Sequence, residues 1–251
     1  MRRDRDAPRT APTAHSACTC AQSGTLIPDL FAGPDEAPCS REALGEGAVV
    51  LRAFARDCAP GLLAEVEAIT AAAPFRHMVT PGGLRMSVAM TNCGALGWIT
   101  DRGGYRYAAR DPDTGRAWPP MPALFRRLAA DAAAAAGFPD FVPDACLVNR
   151  YVPGTKLSLH QDRDEADLSA PIVSVSLGLP AEFVFGGMCR RGPTQRIPLV
   201  HGDVVVWGGP ARLRYHGVRP IRDGVHPATG ACRINLTLRK AAAPQQPVGL
   251  R

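Results

Sequence analysis

His160 and Asp162 stand two positions apart in the stretch LSLHQDRDEADL, residues 157–168. The apolar beat of Leu157 and Leu159 leads into them and reads as a strand. If that strand continues, side chains two apart share one face. A histidine and a carboxylate side by side supply two of the three ligands of a facial triad for Fe(II). The same residues also read as an acid-rich surface loop, and their spacing alone leaves both readings open. A metal site needs a third ligand. His216 ends the run ARLRYH, 56 positions after His160. On a barrel, a strand at that distance can return beside the first. His201 precedes the Gly202-Asp203 turn and ranks second, and His226, before Pro227, ranks third. His15 falls in the N-terminal segment and His77 lies far upstream.

A second constellation sits near the C-terminus. In CRINLTLR, period-2 alternation puts Arg233, Asn235, Thr237 and Arg239 on one face and Ile234, Leu236 and Leu238 on the other. Two guanidiniums on an inward face need anionic partners, because unpaired buried charge is costly. A dicarboxylate cosubstrate would supply them through bidentate contacts. A solvated face with surface ion pairs is the competing account. In LVNRY, Asn149 and Tyr151 share a face and offer donors that could complete a carboxylate pocket.

The elements around these residues fall into two parts. AVVLRAF (48–54) and LRMSVAMTN (84–92) read as strands. APGLLAEVEAITAAAPF (59–75) reads as a helix with Leu62, Leu63, Val66 and Ile69 on one face, ended by Pro74. A second helix in PPMPALFRRLAADAAAAAGF (119–138) puts Met121, Leu124, Phe125 and Leu128 on one face and stops at Gly137. From Ala145 the chain changes to short strand-like runs: ACLVNRY, KLSLH, PIVSVSLGL, EFVFG, RIPLV, DVVVWG, ARLRYHGV and CRINLTLR. That spacing predicts a jelly-roll or cupin-like barrel, with a polar site in its mouth.

Composition narrows the setting. The 251 residues suit one large domain with an appendage. Residues 1–25, rich in Arg, Pro, Ala, Thr and Ser without an apolar period, are expected to be a disordered tail that includes Cys18 and Cys20. Eight cysteines without a CxxC pair argue against a zinc ribbon. Together with the lack of a secretory signal or an 18-residue apolar run, they point to a reducing, cytoplasmic setting without membrane insertion. The net charge of +6 is compatible with a nucleic-acid partner. Its weight is reduced because only Lys156 and Lys240 among 29 basic residues are lysines, which reads as coding bias.

Taken in order, N-x-Y, H-x-D, H and R-x-N-x-T-x-R resemble the AlkB family of iron and 2-oxoglutarate dependent dioxygenases. The likeness extends through PFRHMVTPGGLRMSVAMTNCGALGW, the long run from Gly137 to Gly187, and HGDVVVWGG. It covers residues 26–240, leaving 241–251 as a flexible end. It implies an α+β fold, mainly β: a double-stranded β-helix (jelly-roll) core at about 140–240 with a nucleotide-recognition lid within about 45–120. It implies Fe(II) on His160, Asp162 and His216. It implies the distal carboxylate of 2-oxoglutarate near Arg233, with Asn149 and Tyr151, and the metal-side carboxylate near Arg239 and Asn235. It implies a flipped, N-methylated base of single- or double-stranded DNA, and of RNA, as substrate. Trp98 would stack on that base opposite His160, with Asp164 facing its exocyclic amino group. Tyr105, Arg106, Tyr107 and Arg190 would lie near base or backbone. O2 is the second cosubstrate, formaldehyde, succinate and CO2 are the products, and a monomer is expected. Ile234 and Leu238 depart from the pattern, where aromatics are expected. They point away from the cosubstrate, so packing and not ligation should change.

Overall fold

The computed structural model describes residues 38–243. The expected tail, with His15, Cys18 and Cys20, and most of the expected flexible end lie outside that range. The elements run β1 (Ser40–Gly45), β2 (Ala48–Arg52), α1 (Ala59–Ala72), β3 (Ala89–Gly94), β4 (Gly97–Asp101), β5 (Gly104–Ala108), α2 (Ala123–Ala135) and β6 (Ala145–Tyr151). They continue through β7 (Leu157–His160), β8 (Ile172–Gly178), β9 (Ala181–Phe185), β10 (Gln195–Leu199), β11 (Val204–Trp207), β12 (His216–Val218) and β13 (Arg233–Arg239). A seven-stranded sheet runs β1-β2-β11-β8-β13-β6-β3, and a four-stranded sheet runs β10-β9-β12-β7. β4 and β5 form a separate hairpin. Every strand pairing is antiparallel, as a jelly roll requires.

Alternation along the large sheet decides what each face covers. Val173, Val175 and Leu177 of β8, Val204 and Val206 of β11, and Leu236 and Leu238 of β13 pack against Leu62, Val66 and Ile69 of α1 and Phe125 and Leu128 of α2. The opposite face meets the small sheet, where Val50, Val205 and Trp207 join Phe183, Phe185 and Leu199. Burial of this apolar area is the main stabilising term for both layers. β13 lies between β8 and β6, so all seven of its residues are buried. Its polar residues therefore face the space between the sheets, and the solvated-face account of Arg233 and Arg239 fails.

Several local expectations are corrected. The run 84–92 is not one strand: pairing with β6 begins at Ala89. Residues 78–86 fold back on themselves instead, with Thr80 N donating to Leu84 O and Met86 N to Met78 O, because Pro81-Gly82-Gly83 forms a turn. ARLRYHGV is a strand only from His216. Pro210 opens a short 3-10 turn over Gly209–Ala211, and Arg212 is buried where a strand face was expected. β1 has no apolar alternation to announce it, since five of its six residues are exposed.

Candidate active site

β7 and β12 pair antiparallel with His216 directly opposite His160. That register closes the 56-residue gap and sets the two rings 4.4 Å apart. β7 ends at His160, so Asp162 does not sit on a continued strand as expected. Beyond the strand end the carboxylate still reaches both rings: Oδ1 lies 3.5 Å from His160 Nε2 and Oδ2 lies 3.8 Å from His216 Nε2. One donor atom from each of the three residues falls within 4.8 Å of the others. The tautomers follow from the backbone. His160 Nδ1 lies 2.8 Å from Ser158 O, and His216 Nδ1 lies 3.0 Å from Arg214 O. A carbonyl can only accept, so each Nδ1 donates and each Nε2 keeps its lone pair for the shared centre. Burial and the neighbouring His160 lower the His216 pKa to about 4, which keeps that ring neutral. Burial opposes ionisation of Asp162, but the Arg239 guanidinium outweighs it and holds the carboxyl well below its usual range.

Gly217 makes the close approach of β7 and β12 possible. A Cβ there would lie 2.7 Å from Leu157 O and 3.2 Å from Leu159 N, both β7 backbone. Gly217→Ala is therefore expected to push the strands apart and to weaken metal binding by about tenfold or more, as misplaced ligands do. Titration with cobalt(II) checks this, and unchanged affinity counts against the register argument.

Among the described residues, the other histidines do not join the centre. His201 and His226 stack on each other at 4.5 Å, and Gly178 N donates to His201 Nδ1. His77 Nδ1 bonds Met86 O.

Arg239 donates Nε and Nη2 to Asp162 Oδ2 at 2.9 and 2.5 Å. Arg233 is buried beneath the same cleft. Its Nη2 donates to Ser176 Oγ at 3.0 Å, and its guanidinium stacks on Tyr151. Arg233 Nε and Nη1, and Asn149 Oδ1, are buried without a hydrogen-bond partner. Buried polar atoms left unpaired cost about 1–3 kcal/mol each, so their presence marks a place built for a polar ligand. β13–β6 register explains the grouping, since Arg233 faces Tyr151 and Asn235 faces Asn149 across the ladder. Asn235 is held in turn by Ser174, Val175 O and Thr237. Two unpaired N–H groups of one guanidinium suit a carboxylate, and the His-Asp-His set beside them suits a divalent iron, so the residues fit both groups.

A cleft of about 690 Å³ opens above this floor. Trp98, Tyr105, Asp164 and Arg190 line it together with the three centre residues. Trp98 Nε1 donates to Asp164 Oδ2 at 2.9 Å, and its ring stacks on Tyr105. Arg106 and Tyr107 do not line the cleft. Arg106 pairs with Asp101 across its own hairpin, and the Tyr107 hydroxyl turns inward to Glu165. β4–β5 pairing explains Arg106, which points to the face opposite Trp98, whereas Tyr107 shares the Trp98 face and is drawn off the cleft by Glu165.

Two residues with clear structural roles had no sequence signal assigned. Asn92 of β3 donates to Trp98 O and accepts from Trp98 N, fixing the base of the hairpin. Glu165, an acid in the stretch LSLHQDRDEADL, is 6% exposed and pairs with Arg212. An acid placed among acids gives no hint of burial until the guanidinium that meets it, 47 positions later, is known.

This arrangement defines a 2-oxoglutarate and Fe(II) dependent oxygenase. The family model for the 2OG-Fe(II) oxygenase superfamily matches residues 47–239, and the chain belongs to that family. It is 62% identical to the alpha-ketoglutarate-dependent dioxygenase AlkB of Salmonella typhimurium over 214 residues, covering 85% of this chain and 98% of that protein. It is 59% identical to the AlkB of Escherichia coli K12 over 213 residues, covering 85% and 97%. Among solved structures, that of OsALKBH1 superposes with a TM-score of 0.71 at 29% identity, covering 80% of this chain and all of that one. Among the described residues no helix is long and apolar enough to cross a membrane.

Proposed function

We propose that this enzyme removes N-alkyl groups from bases such as 1-methyladenine and 3-methylcytosine in DNA, and in RNA, as a direct-reversal repair demethylase. The observation that carries this reading is the Trp98–Asp164 pair. It places a flat indole and an acceptor in a cleft wall, with the acid only two residues beyond Asp162. The similarity to proteins named AlkB supports it. In this reading His160, Asp162 and His216 hold Fe(II). Arg233, with Tyr151 and Asn149, holds the distal carboxylate of 2-oxoglutarate, while Arg239 and Asn235 face its metal-side end. Bound iron, 2-oxoglutarate and O2 supply oxidation of the N-methyl carbon, which leaves as formaldehyde while succinate and CO2 form.

The protein's own part is positioning. Trp98 stacks on the flipped base and Tyr105 backs the indole. Asp164 is free to exchange its Trp98 contact for the exocyclic amino group of the base. Arg190 meets the strand backbone at the cleft wall. Tyr107 and Arg106 act through the hairpin, given where they point. We assign no general base, because none is required to deprotonate a methyl group that is oxidised. Flipping costs a few kcal/mol and least for single strands, so single-stranded substrates are expected to serve at least as well as duplexes. A monomer working in the cytoplasm completes the reading.

The test is formaldehyde release from a 1-methyladenine oligonucleotide supplied with Fe(II), 2-oxoglutarate and air. Turnover on single and double strands is expected, and no release by fully metallated protein overturns the substrate assignment. Trp98→Ala is expected to raise the oligonucleotide KM by about 10- to 100-fold, in line with about 1–3 kcal/mol per stacked base. Activity retained by this variant on the true substrate, with no affinity for oligonucleotide, would move the substrate to a protein or small molecule.

A further inference from the structure

Glu165 is used by neither the metal nor the cosubstrate assignment, yet its carboxylate is committed on all sides. Oε2 accepts from Arg212 Nη2 at 3.0 Å. Oε1 accepts from the Tyr107 hydroxyl at 2.7 Å and lies 3.3 Å from Arg239 Nε. Each partner leads to a different part of the site. Arg239 holds the Asp162 carboxylate. Arg212 holds the backbone, with Nη1 on Asp162 O at 2.6 Å and Nε on Ala170 O at 2.9 Å, so it spans both ends of the loop that carries Asp162. Tyr107 belongs to the hairpin and stands opposite Trp98. The two cross-strand partners therefore reach two consecutive acids, Trp98 to Asp164 and Tyr107 to Glu165.

The charges make the acid more than a spacer. Asp162, Glu165, Arg212 and Arg239 are all buried and balance two against two. Removing one charge from such a set leaves an uncompensated ion in a poorly solvated place. Without Glu165, Arg239 has one anion left, and that anion is Asp162. Its guanidinium then competes more strongly for the carboxylate oxygens that face His160 and His216.

We propose that Glu165 is a positioning residue that sets Asp162 for metal binding through Arg239 and Arg212, and tethers the recognition hairpin to the metal-binding loop through Tyr107. The inference rests on the reading of His160, Asp162 and His216 as the metal centre.

The experiment compares the parent chain with Glu165→Gln, Glu165→Asp and Tyr107→Phe. Cobalt(II) binding by the folded protein is followed by absorption, and oligonucleotide KM and kcat are measured separately. Glu165→Gln keeps the size and the Tyr107 contact but loses the charge. It is expected to bind cobalt(II) about 10- to 100-fold more weakly, the usual effect of losing an outer partner of a ligand. Glu165→Asp keeps the charge and is expected to bind more tightly than Glu165→Gln. Tyr107→Phe removes one oxygen, and is expected to match the parent in cobalt(II) affinity while oligonucleotide KM rises several-fold. A parent that binds no cobalt(II) overturns the metal reading and this inference with it. A parent that binds, beside a Glu165→Gln variant of equal affinity and lower melting temperature, overturns this inference alone and leaves a structural role. An unchanged oligonucleotide KM in Tyr107→Phe overturns the tether.

Discussion

Asp162→Asn is expected to abolish metal binding and to lower turnover by at least about a thousandfold, because a neutral amide is a poor third ligand for a hard divalent ion. The shape is nearly kept, so the fold should survive, although at a cost. Arg239 now donates both Nε and Nη2 to Asp162 Oδ2. After the substitution its charge is met by Glu165 alone, which already answers Arg212. Breaking a buried pair in this way costs about 3–5 kcal/mol. The variant should therefore unfold at a lower temperature than the parent even without metal. Formaldehyde release and cobalt(II) titration check the first part, and thermal unfolding of metal-free protein checks the second. A variant that binds cobalt(II) as the parent does would remove Asp162 from the ligand set.

The second large effect is expected at Arg233. Arg233→Lys should raise the KM for 2-oxoglutarate by about a hundredfold while leaving cobalt(II) affinity near that of the parent. Truncating one side of a buried, hydrogen-bonded charge pair costs about 2–5 kcal/mol, and a lysine cannot reproduce the planar fork. Arg233 is 1% exposed, and Nε and Nη1 have no partner within the protein. An ammonium in that place reaches one oxygen as a point charge and loses its stacking on Tyr151. Saturating cosubstrate should restore much of kcat, because the residue binds and does not react. An unchanged KM would mean that the dicarboxylate sits elsewhere. A fall in metal affinity would mean that Arg233 supports the centre instead.

Much of this site was legible in the chain because strands write their faces in alternate residues. CRINLTLR announced one apolar and one polar face, and both are where alternation put them. The His160 and His216 pairing was legible only as a preference, since register depends on the path of the intervening strands. The strand that should carry Asp162 ends two residues too early, and the carboxylate reaches its neighbours from irregular backbone beyond the strand. Glu165 and Arg212 were missed for one reason. A charged residue in a polar stretch looks solvated unless its counter-ion is known, and the counter-ion is distant in sequence. The β4–β5 hairpin was visible only through resemblance, because a two-stranded unit with one exposed face carries little hydrophobic signal.

β13 occupies the middle of the larger sheet with partners on both sides. Its amides should exchange with solvent only through global unfolding, whereas those of the β4–β5 hairpin should exchange through local opening. The floor proposed to hold the cofactor then lasts as long as the fold lasts, and the hairpin proposed to meet the nucleic acid can open many times within that lifetime. Ligands of the floor stabilise the whole domain by mass action. In the proposed reading a damaged strand meets a surface that opens locally, at the cost of the Trp98–Asp164 and Tyr107–Glu165 contacts.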